Sequence, residues 1–542
     1  MTEETSTAPS RRTRTARAAL AALSGVIAAF AALAAGELLS AAVRPESSPV
    51  TAVGGAVIDR TPVEVKDWAI RTFGEDDKVV LLGGILVLLA LFAAAVGLVA
   101  RRHRRAGVAG VLVFGVIGTA AALSRPGSGW LDALPSAAGA LAGAGVLWLL
   151  VGRLTGAGPG TEEVARDRAA LDRRGFVLAA GASVAVSAGA GFAGRRLGAS
   201  GAADAEASRA AVRLPRPSSP ARPIPAQARP RVEGLSPFTT PNRDFYRVDT
   251  ALVVPRVDAG SWRLKVHGKG VRRPLELDFA QLLRREMIER DITLTCVSNE
   301  VGGPYVSSAR WLGVPLAPLL EEAGVRPPSR GGPADQLVSR SVDGMTLGTP
   351  VDTVMDGRDA ILAVGMNGEP LPFRHGFPVR MVVPGLYGYV SACKWLQELE
   401  LTTFDAFDPY WVRRDWAREA PIKTQSRIDT PRPFARLRAG TVRVAGVAWA
   451  QHRGIRRVEI RVDDGPWQDA RLAAEAGLDT WRQWVWDWPA TEGSHTLHVR
   501  ATDAAGAVQT SRRQGTVPDG ATGLHSVVVS VDRPPPTTSR GL

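Results

Sequence analysis

The hydrophobic pattern of this chain changes character twice. Through residue 196, long apolar runs are separated by basic clusters and by a long loop, 44–78, that mixes basic with acidic residues. From 237 to 432, short β-prone runs alternate with amphipathic helical ones. From 433 to 533, apolar and polar residues alternate with period two. A helix needs about 20 apolar residues to cross some 30 Å of hydrocarbon. Five stretches qualify, near 18–41, 79–100, 107–124, 135–152 and 176–194. VVLLGGILVLLALFAAAVGLVA (79–100) is the strongest; the last two are richer in Ala and Gly. Small residues along such runs suit close helix packing.

Residues 197–236 hold GASGAADAEAS and then LPRPSSPARPIPAQARPRVEG. That composition predicts flexible chain followed by an extended, proline-rich spacer. Beyond it, TALVVPRVD, WRLKVHG, ITLTC and RMVVPG read as strands, and DFAQLLRREM and PLAPLLEEAG as helices. Helices do not follow every strand, so 237–432 predicts an α+β domain rather than a regular βαβ series. In 433–533, TVRVAGVAWA, RRVEIRVDDGPWQDARL, TWRQWVWDW and HTLHVRATDAAG predict short strands joined by hairpins at DDG and DAAG. A β-sandwich is expected there. Trp481, Trp484, Trp486 and Trp488 are assigned to its interior or interfaces, and His452, His495 and His498 need no catalytic role. His267 reads as a strand-end structural histidine. Residues 534–542 read as a disordered tail.

The formal charge of +13 changes the picture only through its placement. Arginines cluster beside the apolar runs, at RRTRTAR, at RRHRR (101–105) and between Arg153 and Arg174. That is the distribution of a multi-pass membrane protein in a lipid bilayer, and no nucleic-acid partner is expected. The positive-inside rule places the N-terminus in the cytoplasm, and five crossings put residues beyond 195 on the far side. No histidine lies inside a span, His103 falling in a cytoplasmic loop, so a membrane haem held by two histidines is not expected. Arg173-Arg174 before Phe176 reads either as a twin-arginine export signal or as a positive-inside flank.

Two cysteines, Cys296 and Cys393, cannot build a disulfide framework or a four-thiolate metal site. Cys296 closes the strand ITLTC and opens the polar turn VSNEVGG. By itself it is either a small core residue or a ligand.

Its companions carry a resemblance. TPNRDFYRVDTALVVPRVD (240–258), ITLTCVSNEVGG (292–303) and MNGEPLPFRHGFPVRMVVPGLYGYVSACKWLQELEL (366–401) occur in order. Together they resemble the sulfite oxidase family of molybdenum–molybdopterin enzymes, over roughly 237–533. The resemblance implies an α+β molybdopterin-binding domain and an immunoglobulin-like domain that dimerises many members, here in a membrane-anchored bacterial member. It implies Cys296 as the metal's thiolate ligand. It implies Asn242, Phe245, Tyr246, His375, Arg380, Lys394 and, less closely aligned, Asp343 as pterin contacts. The chemistry agrees: a soft thiolate suits a sulfur-rich metal site, and a phosphate calls for a guanidinium with an ammonium nearby. Cys393 is expected to pack beside Lys394, and a Cys296–Cys393 disulfide is disfavoured because it would consume the ligand.

The function this resemblance implies is two-electron oxo transfer at molybdenum. Arg247 is the candidate for an oxyanion substrate, with Arg310 or Lys423 assisting. This chain departs from the sulfite oxidases after the ligand, where Val297-Ser298-Asn299-Glu300 stands in place of an arginine-bearing run. A sulfite-dehydrogenase-like activity or an unassigned one is expected, and sulfoxide or N-oxide reduction is the alternative. No Cys-x-x-Cys-His or other haem motif occurs, so electrons pass to a separate cytochrome or quinone-linked partner. The rival from another class is a non-catalytic, membrane-anchored binding module.

Overall fold

The computed structural model describes residues 11–533, apart from positions within 63–76 and residues 126–127 and 156–161. The expected tail, 534–542, lies outside the described residues. The chain divides into two compact units, residues 1–204 with 250–254, and residues 205–249 with 255–542.

The first unit is helical. Long helices cover Arg11–Val43, Asp77–Arg102, Arg104–Leu123, Leu134–Thr155 and Glu162–Ala211, with a shorter one at Pro49–Arg60. Their apolar stretches, Thr15–Val43, Val79–Arg102, Arg104–Leu123, Trp130–Leu154 and Arg174–Ala211, coincide with the five expected spans and are long enough to cross a membrane. Helix Arg11–Val43 approaches Asp77–Arg102 so closely that a Cβ at Gly25 would lie 1.9 Å from the Ala93 carbonyl oxygen. Glycine permits that approach, as small residues do in lipid, where packing rather than the hydrophobic effect joins helices. Arg44 pairs with Asp132 at 2.8 Å and Arg125 with Asp59 at 2.7 Å. These pairs tie the segments that follow the first and third apolar helices.

Among the described residues, the second unit contains four sheets. One runs Leu275–Asp278, Arg263–Gly268, Leu396–Thr402, Gln336–Ser341, Thr346–Pro350, with only its second and third strands parallel. Another runs Ile288–Thr295, Val306–Pro315, Ile361–Met366, Glu369–Pro370, and Arg380–Val382 also pairs with Ile361–Met366. Short helices such as Phe279–Leu283 and Leu316–Glu322 cover them around one core that includes Trp311, Phe377 and Leu396. This is the α+β domain the pattern predicts.

The C-terminal region is β-rich. One sheet holds Gln425–Thr430, Gly440–Trp449, Arg482–Ala490 and Arg471–Leu472. The other holds Arg436–Arg438, His525–Asp532, Gly493–Asp503, Ile455–Val462 and Gln468–Asp469. Val444, Trp484, Val458, Leu497 and Val529 share the core between them. Two expectations need correction. Strand Gln425–Thr430, expected in the preceding domain, pairs with Gly440–Trp449 instead, so the β region begins before 433. The supposed linker is neither flexible nor separate. Residues 197–211 continue the helix Glu162–Ala211, because alanines outweigh the glycines there. Residues 212–236 lie along the second unit. Ser218 donates its N–H to Met287 at 2.8 Å, and Ala474 donates its own to Gln227 at 3.1 Å.

Candidate active site

Strand Ile288–Thr295 ends at Cys296, whose N–H donates to the Tyr305 carbonyl at 2.9 Å. Asn299 closes the turn: its N–H donates to the Cys296 carbonyl at 3.0 Å, and its Oδ1 accepts from the Tyr305 N–H at 2.8 Å. The thiol is buried. Burial pushes its pKa up, while the Ser298 amide and hydroxyl and the charge of Lys394 pull it back. Cys393 is also buried, and burial raises its thiol to about 12. Both are free thiols, so no disulfide joins them.

The N-terminal block supplies aromatic walls. Phe245 stacks on Tyr246 and meets Trp311 and His375 edge-on, with ring centroids 5.3, 5.7 and 5.4 Å apart. Burial, then the nearby Cys296, raises the Tyr246 phenol, while Arg380 opposes it. Asn242 is held from several sides. It donates to the Met366 carbonyl at 3.1 Å and to Glu369 at 2.5 Å, and accepts from Asn367 at 2.8 Å. Asn367 sits at φ +53° in the predicted turn, a region Asn tolerates better than most residues. It fixes this whole corner by donating to the Thr240 carbonyl and accepting from the Arg310 N–H, both at 2.9 Å.

The third block supplies cations. His375 Nε2 donates to the Asn242 carbonyl at 2.8 Å, which leaves Nδ1 as an acceptor. Burial, reinforced by Arg380 and Lys394, lowers its pKa to about 3, so the ring is neutral. Arg380 is 5% exposed and lies over the Trp311 ring at 4.9 Å. It donates to two carbonyls at the long end of the hydrogen-bond range, His375 at 3.3 Å and Ala392 at 3.5 Å. Its Nε is buried without any partner. Among the described residues no carboxylate pairs with it. Lys394 Nζ pairs with Asp249 at 2.6 Å, and burial lowers its pKa to about 8 against the pull of that carboxylate. Gly376, at φ +107°, lets the chain turn between them. A Cβ there would press within about 3 Å of both Lys394 and Arg380. Asp343 is half-buried in a turn, accepting from the Met345 N–H at 3.2 Å, and its charge acts on Cys393.

The structure thus gathers Cys296, Asn242, Phe245, Tyr246, His375, Arg380 and Lys394, with Asp343 reaching the cluster through Cys393. The proposed substrate cations fare differently. Arg247 is held by Asp249 at 2.8 and 3.1 Å, Arg310 by Asp291 at 2.8 Å, and Lys423 by Asp519 at 2.8 Å. Each of the three is therefore ion-paired, as Lys394 is, and Arg310 pairs with the strand next to its own. Sequence reasoning missed Asp249, which bridges Arg247 and Lys394, because an aspartate in RVDTA reads as a surface turn. It also missed Trp311, whose indole carries Arg380 and donates to the Ile292 carbonyl at 3.1 Å.

A phosphate-bearing pterin fits these residues. A desolvated guanidinium with an orphaned Nε suits an anion, and Gly376 lets the segments carrying Arg380 and Lys394 pack close together. Comparison with known proteins points the same way. Residues 251–411 match the family described as the oxidoreductase molybdopterin binding domain. Sulfite oxidase of Gallus gallus is 33% identical over 304 residues, spanning 48% of this chain and 65% of that protein. Mitochondrial sulfite oxidase of Mus musculus is 31% identical over 300 residues, spanning 48% and 54%. The sulfane dehydrogenase SoxCD structure from Paracoccus pantotrophus aligns over 57% of this chain and 86% of that one, with 25% identity and TM-score 0.48. The chain spans between 54% and 65% of the length of these two curated relatives. Residues 251–411 are thus similar to the molybdopterin-binding domain, and the chain is similar to enzymes of the sulfite oxidase family.

Proposed function

We propose that this chain is a membrane-anchored, extracytoplasmic oxidoreductase, sulfite-dehydrogenase-like in its chemistry, whose oxo transfer is carried by molybdenum–molybdopterin. The observation that carries the reading is the buried, carboxylate-free Arg380 beside Lys394 and a neutral His375, on the same site as the buried Cys296. When bound, the cofactor supplies the two-electron redox centre and the oxo group. The chain's residues hold and tune it. Cys296 supplies the thiolate, and binding of a metal keeps the sulfur deprotonated despite the burial that otherwise raises its pKa. Arg380 and Lys394 meet the phosphate, Arg380 through a planar fork and Lys394 as a point charge. His375 presents Nδ1 as an acceptor to the pterin, and Phe245 and Tyr246 wall the site from water. Electrons leave through a separate cytochrome or quinone-linked partner. The C-terminal region is read as an immunoglobulin-like module able to pair two copies.

Two measurements test this. The matured protein should contain molybdenum and show sulfite-dependent reduction of a one-electron dye. Cys296→Ser should lower that turnover at least about 100-fold, beyond what loss of an outer partner costs. A folded sample without molybdenum, or one that keeps it after this substitution, overturns the reading; sulfoxide reduction without sulfite oxidation would move it to the reductase alternative. For topology, Lys at both Arg173 and Arg174 keeps the charge. Loss of protease access to the second unit in spheroplasts identifies an export signal, and unchanged access identifies a positive-inside flank.

A further inference from the structure

The C-terminal β region reaches back to both sides of Cys296, and we propose that Gln451 is a positioning residue that, with Arg427 and His525, aims the Cys296 sulfur at the metal. The inference rests on the reading of Cys296 as the ligand. Strand Ile288–Thr295 is the edge of its sheet, so its outward backbone groups have no ladder partner there. At Glu289 the Ser219 carbonyl takes the N–H, whereas at Thr293 the β region takes both groups. The Thr293 N–H donates to the Asp479 carbonyl at 2.9 Å. Gln451 Nε2 donates to the Thr293 carbonyl at 3.0 Å and to Thr295 Oγ1 at 2.9 Å. The Trp481 N–H donates to Thr293 Oγ1 at 2.8 Å.

Gln451 is fully buried, and its Oε1 has no partner. An orphaned buried carbonyl is unfavourable, and a leucine or methionine would fill the same space without one. What the amide adds, and an apolar side chain cannot, is the pair of donor bonds that fix Thr293 and, just before the thiol, Thr295.

The far side is held as firmly. Gly302, at φ +81°, lies against the His525 ring, where a Cβ would come 2.1 Å from a ring carbon. His525 Nδ1 accepts from the Ile428 N–H at 3.0 Å, which fixes the ring plane. Arg427 donates to the Gly303 carbonyl at 2.8 Å, and Asp429 at 2.7 Å and Ser236 at 3.0 Å hold its guanidinium. The turn carrying the sulfur is therefore pinned at Thr295 and again at Gly302 and Gly303. Outer partners of metal ligands orient them, and their loss typically costs about 10–100-fold in affinity or activity.

Gln451→Met keeps the volume and removes both donors. In the cofactor-free full chain, amide hydrogen exchange at Cys296, Asn299 and Gly303 should accelerate at least about tenfold, while the core strand Ile361–Met366 keeps its protection. In the loaded protein the thiolate-to-molybdenum charge-transfer absorption should shift, with kcat falling about 10–100-fold and KM little changed. Unchanged exchange and an unchanged spectrum overturn the proposal. So does faster exchange with an unmoved spectrum, which leaves Gln451 a purely structural residue. If the methionine variant does not fold, Thr295→Val removes one of the two acceptors and should shift both readouts in the same direction by less. Wild-type chain that matures without molybdenum refutes the ligand reading itself, and the exchange measurement still stands apart from that result.

Discussion

The two units of this chain put their charges in opposite places. In the helical unit the long apolar helices expose large side chains, Leu91 being 64% exposed and Val116 68%. Among its described ion pairs, Arg44–Asp132 and Arg125–Asp59 sit at the ends of helices. In the second unit the surface carries ordinary exposed ion pairs, and the interior holds Asp249, Arg380 and Lys394. The first arrangement suits hydrocarbon, a solvent that accepts apolar groups and rejects charge. The second contradicts its own solvent: burying cations is unfavourable unless something anionic meets them. Length and composition explain the first unit, whereas the second makes sense only with a guest.

The sharpest way to break the contrast is to remove Asp249, a carboxylate that already serves as an internal guest for two cations of the site. Asp249→Asn leaves Arg247 and Lys394 without their shared anion. Breaking a buried pair on one side costs about 3–5 kcal/mol, and chemical denaturation of the cofactor-free protein should show a loss of that size. Added phosphate should return part of it. The matched control is Asp487→Asn, which frees exposed Arg443; surface pairs are worth at most about 1 kcal/mol. Equal losses from the two would mean that the cluster around Asp249 is solvated and the interior charge is ordinary.

Arg380 tests the empty side of the same argument. A buried charge without a counter-ion burdens the fold, so Arg380→Met should stabilise the cofactor-free protein by about 1–4 kcal/mol. The same change should abolish molybdenum retention. A variant that is both less stable and cofactor-poor would show that the guanidinium is satisfied by its carbonyls alone, and the case for an awaited phosphate would fail.

These residues also show what the chain's sequence discloses. The five spans are legible because length and hydropathy act locally, and the strand before Cys296 because ITLT is β-prone. His375, Arg380 and Lys394 are legible only as companions in order, since nothing in a lone arginine states that it is buried. Asp249 and Gln451 are not legible. Their roles depend on Lys394, 145 positions later, and on Thr293, 158 positions earlier. The helix over 197–211 reads as a linker because glycines stand among its alanines, until packing and alanine propensity decide otherwise.

A smaller effect stems from Lys394. Its native pKa, about 8, lies below the ordinary 10.5 because burial disfavours the charge. Between those values the unfolded chain holds more protons than the folded one, so this group makes stability rise, not fall, with pH. Affinity for an anion should move the other way. Titration calorimetry of inorganic phosphate against the cofactor-free protein should show binding weaken as pH rises through about 8. In Lys394→Met that inflection should be absent. A pH-independent affinity in the wild type would mean that Lys394 does not face the anion.

The smallest effect belongs to the membrane unit and tests the other half of the contrast. Leu150, on Leu134–Thr155, is fully buried beside Ile27 and Phe176, and Leu91, on Asp77–Arg102, points away from protein. Truncating the first removes contacts inside the unit, and Leu150→Ala should cost about 2–5 kcal/mol. Truncating the second exchanges one lipid contact for another, because lipid tails are as apolar as leucine and meet that side chain whether or not the helices are packed. Leu91→Ala should therefore move thermal stability in detergent or nanodiscs by no more than about 0.5 kcal/mol. A loss approaching that of Leu150 would place protein, not lipid, against the outward face of this span. The apolar surface that now reads as an adaptation to solvent would then be a docking face, and both units would share the same need for a guest.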